Sequence, residues 1–475
     1  MGIVKHNIFL LDRDGDMLEY ILAHSQDKIV ALVCEKHKKI LDLISQYPER
    51  ILHIIDYNAL LDIQSVECID YSLIAKMKFA QIDIETMLHR IMLNNPLAKD
   101  IYHQHLSFFA QIFKQNQIDI LVSAEANLAS PNHHIPFALC CLLGIPCYSL
   151  EGYHYTAVAL KNHNNRKENY ATSQKNIPFV SQTICASAEN IIYYTLKTSK
   201  EYQKMSIKRI IKNFALKLGG EMLSQFLVCL SRLNFKQDRL GIPYSYWDKL
   251  YYFFRYKQLK RYYDKHSVIP NLKEKYIYYS LHLEPEAAII GQTILESQLT
   301  IIKMLSQALP NGWRLYVKEH PHQFMLNNEV SHYFINNLDF FKNISLYQEI
   351  KKLKNVELVS LKISSKELMQ NAQAIATFGG TISLESAFDN IPAILFNPFE
   401  SVYGVLDHTL HVTSYADLLT AIQKIQDGFL KDKKINIQKI NPYLANPNDA
   451  NFYDNLFATI KEHAKTIKPT GEKLW

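Results

Sequence analysis

Long apolar runs, paired cysteines and a strong charge of one sign are all missing from this 475-residue sequence, and each absence closes off a class. No uninterrupted apolar stretch approaches the ~20 residues needed to span a bilayer. The apolar stretch near the start is only Ile8 to Leu11, followed by Asp12-Arg13-Asp14-Gly15, which is too short for the apolar region of a secretory signal. The seven cysteines, at 34, 68, 140, 141, 147, 185 and 229, are odd in number and contain no C-x-x-C pair, which disfavours both a disulfide framework and a zinc site. They read as reduced, mostly buried thiols. A net charge of +6 is small for this length, so the total does not point to nucleic acid. No solenoid-period repeat and no low-complexity tract interrupts the chain. A cytoplasmic protein is expected, either free or peripheral on the inner face of the membrane.

What is present is apolar residue in quantity, 48% against 21% charged, which suits a globular protein with a large core. The length exceeds one ordinary core, so two α/β units and a connecting region are expected. Residues 7–11, 29–34, 51–55 and 118–123 read as strands with helical patterns between several of them, an alternation that predicts a parallel sheet covered by helices. Phe137–Leu143 followed by Gly144-Ile145-Pro146 reads as a helix and its stop, and a strand over 147–150 then delivers Glu151-Gly152 to its C-terminal end. From about 197 to 265 the pattern turns helical. A second alternation begins with a strand at 276–281 and a long helical pattern over 286–309, then strands at 314–318, 356–360, 374–377 and 393–396, with helices at 365–371 and 383–389. The expected division is 1–196, a helical interdomain region 197–270, and 271–475, with the last helices able to pack back on the first unit.

Lys318-Glu319-His320-Pro321 is the sharpest local feature, because an apolar strand, Leu315-Tyr316-Val317, runs directly into charged and imidazole groups. Pro321 blocks further strand pairing and holds His320 extended, so the imidazole is aimed out of the sheet towards a phosphate or ribose hydroxyl. An ordinary polar strand end is the plain alternative. In Phe378-Gly379-Gly380-Thr381-Ile382-Ser383-Leu384-Glu385, two glycines let backbone approach a ligand, and Thr381 and Ser383 offer hydroxyls to a phosphate at a helix start. The same residues also suit a simple turn and N-cap. His282, Glu284 and Glu286 follow the strand over 276–281, in reach of the interdomain cleft; His282 suits a structural role equally, and Glu286 suits a helix start.

In the first unit, Glu125 follows a strand, His133 opens a helix behind Pro131-Asn132, and Glu151 follows another strand, which makes them candidate proton acceptors. Metal binding is disfavoured, since no H-E-x-x-H or similar spacing occurs. Residues 244–265 interleave Tyr, Phe and Trp with Lys249, Arg255, Lys257, Lys260, Arg261 and Lys265. Such a helix suits an anionic membrane surface, or a solvated helix whose rings pack on neighbouring structure. No nucleic-acid motif supports an RNA partner.

The run Tyr278-Tyr279-Ser280-Leu281-His282-Leu283-Glu284-Pro285-Glu286, then Leu309-Pro310-Asn311-Gly312-Trp313, Val317-Lys318-Glu319-His320-Pro321 and residues 379–387, resembles the bacterial capsular and surface polysaccharide biosynthesis family that includes Kdo transferases. The likeness covers about residues 275–400. The His320-Pro321 step, Thr381 with Ser383, and Glu151-Gly152 are similar to the His-Pro, hydroxyl and acid-Gly elements of GT-B sialyltransferases, although Gly-Gly-Thr-Ile-Ser stands where those have adjacent serines. The resemblance implies a GT-B architecture, two Rossmann-like doubly wound domains facing a cleft. It also implies a CMP-activated 3-deoxy-ulosonic acid donor (Kdo or a nonulosonic, sialic-type sugar), a glycan or lipid-linked oligosaccharide acceptor, and no further cofactor. His282, Glu284, Glu286, Lys318, Glu319, His320, Pro321, Gly379, Gly380, Thr381, Ser383 and Glu385 are the expected donor-binding residues. Glu151, Glu125 and His133 are the expected catalytic ones. The competing expectations are a non-hydrolysing UDP-sugar 2-epimerase, suggested by Gly379-Gly380-Thr381 with Glu385-Ser386-Ala387 and Ile391-Pro392, and a non-catalytic glycan-assembly protein.

Overall fold

A computed structural model describes residues 5–57, 59–60, 62–90, 95–125, 130–153, 157–164, 175–179, 236–237, 243–244, 246–284, 289–290, 295–324, 338–399, 401–430, 434–468 and 470–471. Glu286, Cys185, Cys229 and most of the expected helical interdomain region lie outside the described residues.

The first unit is built on a seven-stranded sheet of order β3-β2-β1-β4-β5-β6-β7. Its parallel strands are β1 (Asn7–Leu11), β2 (Lys28–Cys34), β3 (Ile51–Asp56), β4 (Ile120–Ser123) and β5 (Cys147–Tyr153). Two antiparallel strands, β6 (Ala157–Asn162) and β7 (Asn176–Ile177), complete the edge. Helices α1 (Asp16–His24), α2 (Lys38–Gln46), α3 (Tyr71–Lys76), α4 (Lys78–Leu88), α5 (Asn95–Gln115) and α6 (Pro131–Leu143) join the parallel strands. Side chains alternate across a strand, so β1 serves two cores. Phe9 and Leu11 pack with α4, α5 and α6, whereas Ile8 and Leu10 pack on the other face with Met17, Leu18 and Ile21 of α1. Burial on both faces is why these strands read as continuous apolar runs. Gly144 ends α6 at φ 70, the left-handed conformation that its sequence position as a helix stop requires.

The antiparallel edge corrects one expectation. β5 does not end at Leu150, because β6 folds back on it and pairs Glu151 with Ala159 and Gly152 with Val158. Glu151 therefore projects from inside a strand and not from the loop beyond it.

A short pair, β8 (Lys236–Gln237) with β9 (Pro243–Tyr244), precedes α7 (Tyr246–His266). The second sheet has six strands, all parallel, in order β12-β11-β10-β13-β14-β15. They are β10 (Tyr276–Ser280), β11 (Arg314–Lys318), β12 (Val356–Val359), β13 (Ala374–Thr377), β14 (Ala393–Leu395) and β15 (Thr409–His411). Its helices are α8 (Gln298–Ala308), α9 (Leu338–Phe341), α10 (Ile344–Lys351), α11 (Ser365–Gln370), α12 (Ile382–Phe388) and α13 (Tyr415–Gln426). The expected pair of doubly wound sheets is thus what the chain forms. The helix expected from 286 is shorter: Ser297 accepts a hydrogen bond from the Thr300 amide and starts α8 only at Gln298.

The chain then returns to the first unit. Ala445 and Val158 exchange backbone hydrogen bonds of 2.9 Å in both directions, and α14 (Phe452–Ala464) lies on the first sheet's α1 side. Phe452, Leu456 and Ile460 share a core with Ile8, Leu10 and Leu18, and Tyr20 stacks on Tyr453 and Phe457. Among the described residues no helix is long and apolar enough to cross a membrane.

Leu456 is fully buried at this junction. Leu456→Ala should therefore destabilise the chain by about 2–5 kcal/mol, the range for a buried leucine truncated in a packed core. The midpoint of urea unfolding measures it. An unchanged midpoint would mean that α14 does not stay docked in solution.

Candidate functional site

In both sheets the first strand lies at the centre, and successive connections run outward from it first to one side and then to the other. Where the direction reverses, between β1 and β4 and between β10 and β13, the departing loops separate and leave a crevice at the C-terminal ends of the strands. Ligands of open α/β sheets bind in such crevices.

At the second sheet's reversal, His282 follows β10, and Gly379-Gly380 follow β13. The His282 Nε2 lies 3.1 Å from Thr377 Oγ1, at the last residue of β13. A Cβ on Gly380 would stand 3.3 Å from His282 Cε1, so glycine here makes room for the imidazole; its backbone φ is not in the left-handed region. Phe378 meets the ring edge-on at 5.4 Å. Burial pulls the His282 imidazole down to about 4, and the Lys342 ammonium adds to the effect, so the ring is neutral near pH 7. The ring nitrogens therefore supply one donor and one acceptor.

Beyond the glycines, Ser383 Oγ donates to the Gly380 carbonyl at 2.7 Å, which closes the turn on itself. Thr381 occupies the position before α12 without capping it and is hydrogen-bonded to Glu385 instead. Burial raises the Glu385 carboxyl, with the Thr381 bond opposing. His408 Nε2 lies 2.7 Å from the Ser383 carbonyl and 3.2 Å from Ser386 Oγ, pinning the short helix from behind.

The strand-end cluster at 318–320 does not stay together, because alternate residues leave a strand on opposite faces. Lys318 Nζ donates to Ser365 Oγ at 2.9 Å on the α11 side, and burial pulls this ammonium down to about 8. Glu319 turns inward and is fully buried, accepting from Tyr347 Oη at 2.5 Å and from Lys342 Nζ at 3.0 Å. Glu284 lies 3.7 Å from the same ammonium, and burial raises its carboxyl. His320 is half-buried at the strand end, and Pro321 begins a 3₁₀ turn over Pro321–Phe324.

The first sheet's reversal gathers Arg13 after β1, Tyr57 after β3 and Glu125 after β4. Arg13 Nε is 3.6 Å from Glu125 and from Asp14, and 4.0 Å from Glu35. Tyr57 Oη donates to Glu125 Oε2 at 3.4 Å, and its ring meets the buried His133 edge-on at 4.8 Å. Burial raises the Glu125 carboxyl while Arg13 opposes it. Glu151 stands apart from this group, in an ion pair of 3.1 Å with the buried Lys161.

Tyr403 connects Glu151 to the second unit. This buried tyrosine sits in a 3₁₀ turn over Val402–Val405 and packs with Ala157 and Ala159 of β6 and with Leu384 of α12. Burial raises its phenol, and the carboxylates of both Glu151 and Glu385 add to that. Both carboxylates thus act on one phenol, which packs against elements of both units. Gly404 beside it is obligatory, since a Cβ there would stand 1.9 Å from the Pro398 carbonyl oxygen.

Arg13, Tyr57, Thr377, Lys342 and Tyr403 bear on the candidate residues without having been expected from the sequence. Arg13 carried the same signal as Lys318 to His320, charge at a strand end; the other four carried none. Of the expected basic aromatic helix, Tyr256, Leu259 and Tyr263 are buried in the second unit's core, which leaves Phe254, Lys257, Arg261 and Lys265 on its exposed side.

No family profile and no curated protein matches this sequence. Solved structures that align with it include the UDP-GlcNAc 2-epimerase of Methanocaldococcus jannaschii in complex with UDP-GlcNAc and UDP, at 10% identity over 97% of this chain and 100% of that one, with a TM-score of 0.28. KpsC of Thermosulfurimonas dismutans, a beta Kdo 2,7 transferase, aligns at 10% identity over 90% and 98%, with a TM-score of 0.31. The UDP-GlcNAc 2-epimerase of Neisseria meningitidis bound to UDP-GlcNAc aligns at 12% over 97% and 100%, with a TM-score of 0.26. Scores this low add nothing to the strand order, on which the fold assignment rests.

The neutral state of His282 has a measurable consequence. Its folded value near 4 lies below its ordinary 6.5, so between those two the unfolded chain binds a proton that the folded chain does not. This group's contribution to stability falls as pH drops from 6.5, by up to about 2 kcal/mol at pH 5. His282→Gln lacks the effect and should gain on the parent in urea midpoint between pH 7 and pH 5. A gap independent of pH would mean that the ring titrates normally in the fold.

Proposed function

We propose that this chain is a glycosyltransferase that moves a 3-deoxy-ulosonic acid from a CMP-activated donor to a glycan acceptor. The observation that carries the reading is Tyr403, which packs on Ala157 and Ala159 beside β5 and on Leu384 after the glycine turn, and whose phenol both Glu151 and Glu385 influence. In this reading a proton acceptor from one unit works with a nucleotide-type turn from the other. That is what transfer between two bound substrates requires.

In this reading the acceptor hydroxyl oxygen forms the new bond to the anomeric carbon, and its proton passes to the Glu151 carboxylate. The bond from the anomeric carbon to phosphate oxygen breaks, and the electron pair leaves with CMP. His320 and the amides of Gly379 and Gly380 stabilise the departing phosphate, while Thr381 holds Glu385. His282, neutral and bonded to Thr377, offers a directed hydrogen bond to the nucleotide. Lys161, paired with Glu151 at 3.1 Å, holds that carboxylate in place for proton transfer. Glu125 and His133, grouped with Arg13 and Tyr57 in the first crevice, hold the acceptor. The UDP-sugar 2-epimerase reading draws on the same glycine turn and predicts a different nucleotide.

Calorimetry of CMP against UDP, on the parent and on His320→Ala, separates the two. The expected result is preference for CMP, weakened about tenfold or more in the variant by loss of a hydrogen bond to a charged group. Preference for UDP would move the chain to the epimerase reading, and binding of neither would end both. Glu151→Gln should lower transfer by about 10²–10⁴-fold, the share of a general base, while leaving CMP affinity unchanged. Full turnover in that variant would remove Glu151 from the mechanism.

A further inference from the structure

Lys342 is a fully buried lysine just after α9, remote in sequence from every strand end of the crevice. Its ammonium donates to the His282 carbonyl at 3.1 Å, to both oxygens of Glu319 at 3.0 and 3.2 Å, and to Gln323 Oε1 at 3.3 Å. Glu284 lies 3.7 Å away. These partners come from two different strand ends, that of β10 and that of β11.

The contacts propagate to both histidines of the crevice. On one side, Gln298 accepts from the His282 amide at 2.7 Å and donates to its carbonyl at 3.2 Å, so that with Lys342 the peptide groups flanking His282 are held from both ends. Gln323 braces the next residues, accepting from the Glu284 amide at 3.0 Å and donating to its carbonyl at 2.9 Å. On the other side, Glu319 Oε1 accepts from the His320 amide at 2.8 Å while it holds Lys342. The Glu319 amide in turn donates to Tyr263 Oη at 3.0 Å.

We propose that Lys342 is a positioning residue, fixing the His282 and His320 segments relative to each other so that both rings address one nucleotide. The proposal rests on the donor-site reading of these histidines. A buried ion pair kept only for stability would be served by Glu319 alone, whereas here the ammonium also closes on a backbone carbonyl of the site. Glu284 and Glu319 sit on the Lys342 ammonium, and Lys342 is the charge that disfavours a second proton on the His282 ring.

The test is the NMR titration of the His282 ring in the full chain, in parent, Lys342→Arg and Lys342→Met, with CMP affinity measured alongside. In Lys342→Met the ring should protonate at a pH higher than in the parent by on the order of one unit, since a like charge has been removed. CMP should also bind about tenfold or more weakly, through the displaced histidines. Lys342→Arg, which keeps the charge, should leave the ring titration near the parent's. If Lys342→Met does not fold, the double variant Lys342→Met/Glu319→Gln removes both buried charges and carries the same expectation. An unmoved His282 titration with undiminished CMP affinity, in a variant that is merely less stable, would overturn the proposal. Failure of the parent to bind CMP would sink the donor reading instead, and the ring titration would still decide whether Lys342 acts on His282.

Discussion

Right-handed crossovers constrain everything else in this chain. A parallel strand can be reached from its neighbour only by a connection that packs back on the sheet in one hand. A chain that starts in the middle of a sheet and builds outward in both directions must therefore reverse once and place helices on both faces. The reversal opens the crevice, and the strand ends beside it are the positions where a few side chains can meet a ligand without disturbing the core. Both sheets follow this course, and both reversals carry charged or imidazole side chains: Arg13 and Glu125 in the first, His282 beside Gly380 in the second.

The polar groups behind those crevices are unusual for their depth. Lys342, Glu319, Lys161 and His133 are all nearly or fully excluded from water. Burying a charge is costly unless it is paired and hydrogen-bonded, and Lys342 and Glu319 meet that condition through several partners. A network satisfied in this way is stiff, because moving one member leaves another stranded in a low-dielectric interior. Lys342, Glu319, Tyr347 and Gln323 thus form one stiff network beside the ends of β10 and β11.

Most strands were legible because their sequence is dictated by burial on two faces. Arg314–Lys318 and Ala374–Thr377 begin and end as the apolar pattern does. The antiparallel β6 was not, since Ala157–Asn162 mixes small and polar residues and earns its place only by pairing with β5. The long helix expected from 286 failed for a local reason, the Ser297 cap, which periodicity does not register. In the site, charge at a strand end and paired glycines were visible from order alone. Lys342 was not: its main partner Glu319 lies 23 residues away, and a lysine after two phenylalanines looks like any surface lysine. Tyr403 was hidden for the same reason, being defined by residues from two sheets.

The docking of α14 on the first sheet ties the order of synthesis to the order of folding. The face formed by Ile8, Leu10 and Leu18 is made early, yet the Phe452, Leu456 and Ile460 side chains that cover it are made only after the whole of the second sheet. Throughout elongation the nascent first unit holds an uncovered apolar strip, the kind of surface that draws chaperones and promotes aggregation. The docking of α14 closes that strip, so a polypeptide released before residue 452 would carry it exposed permanently.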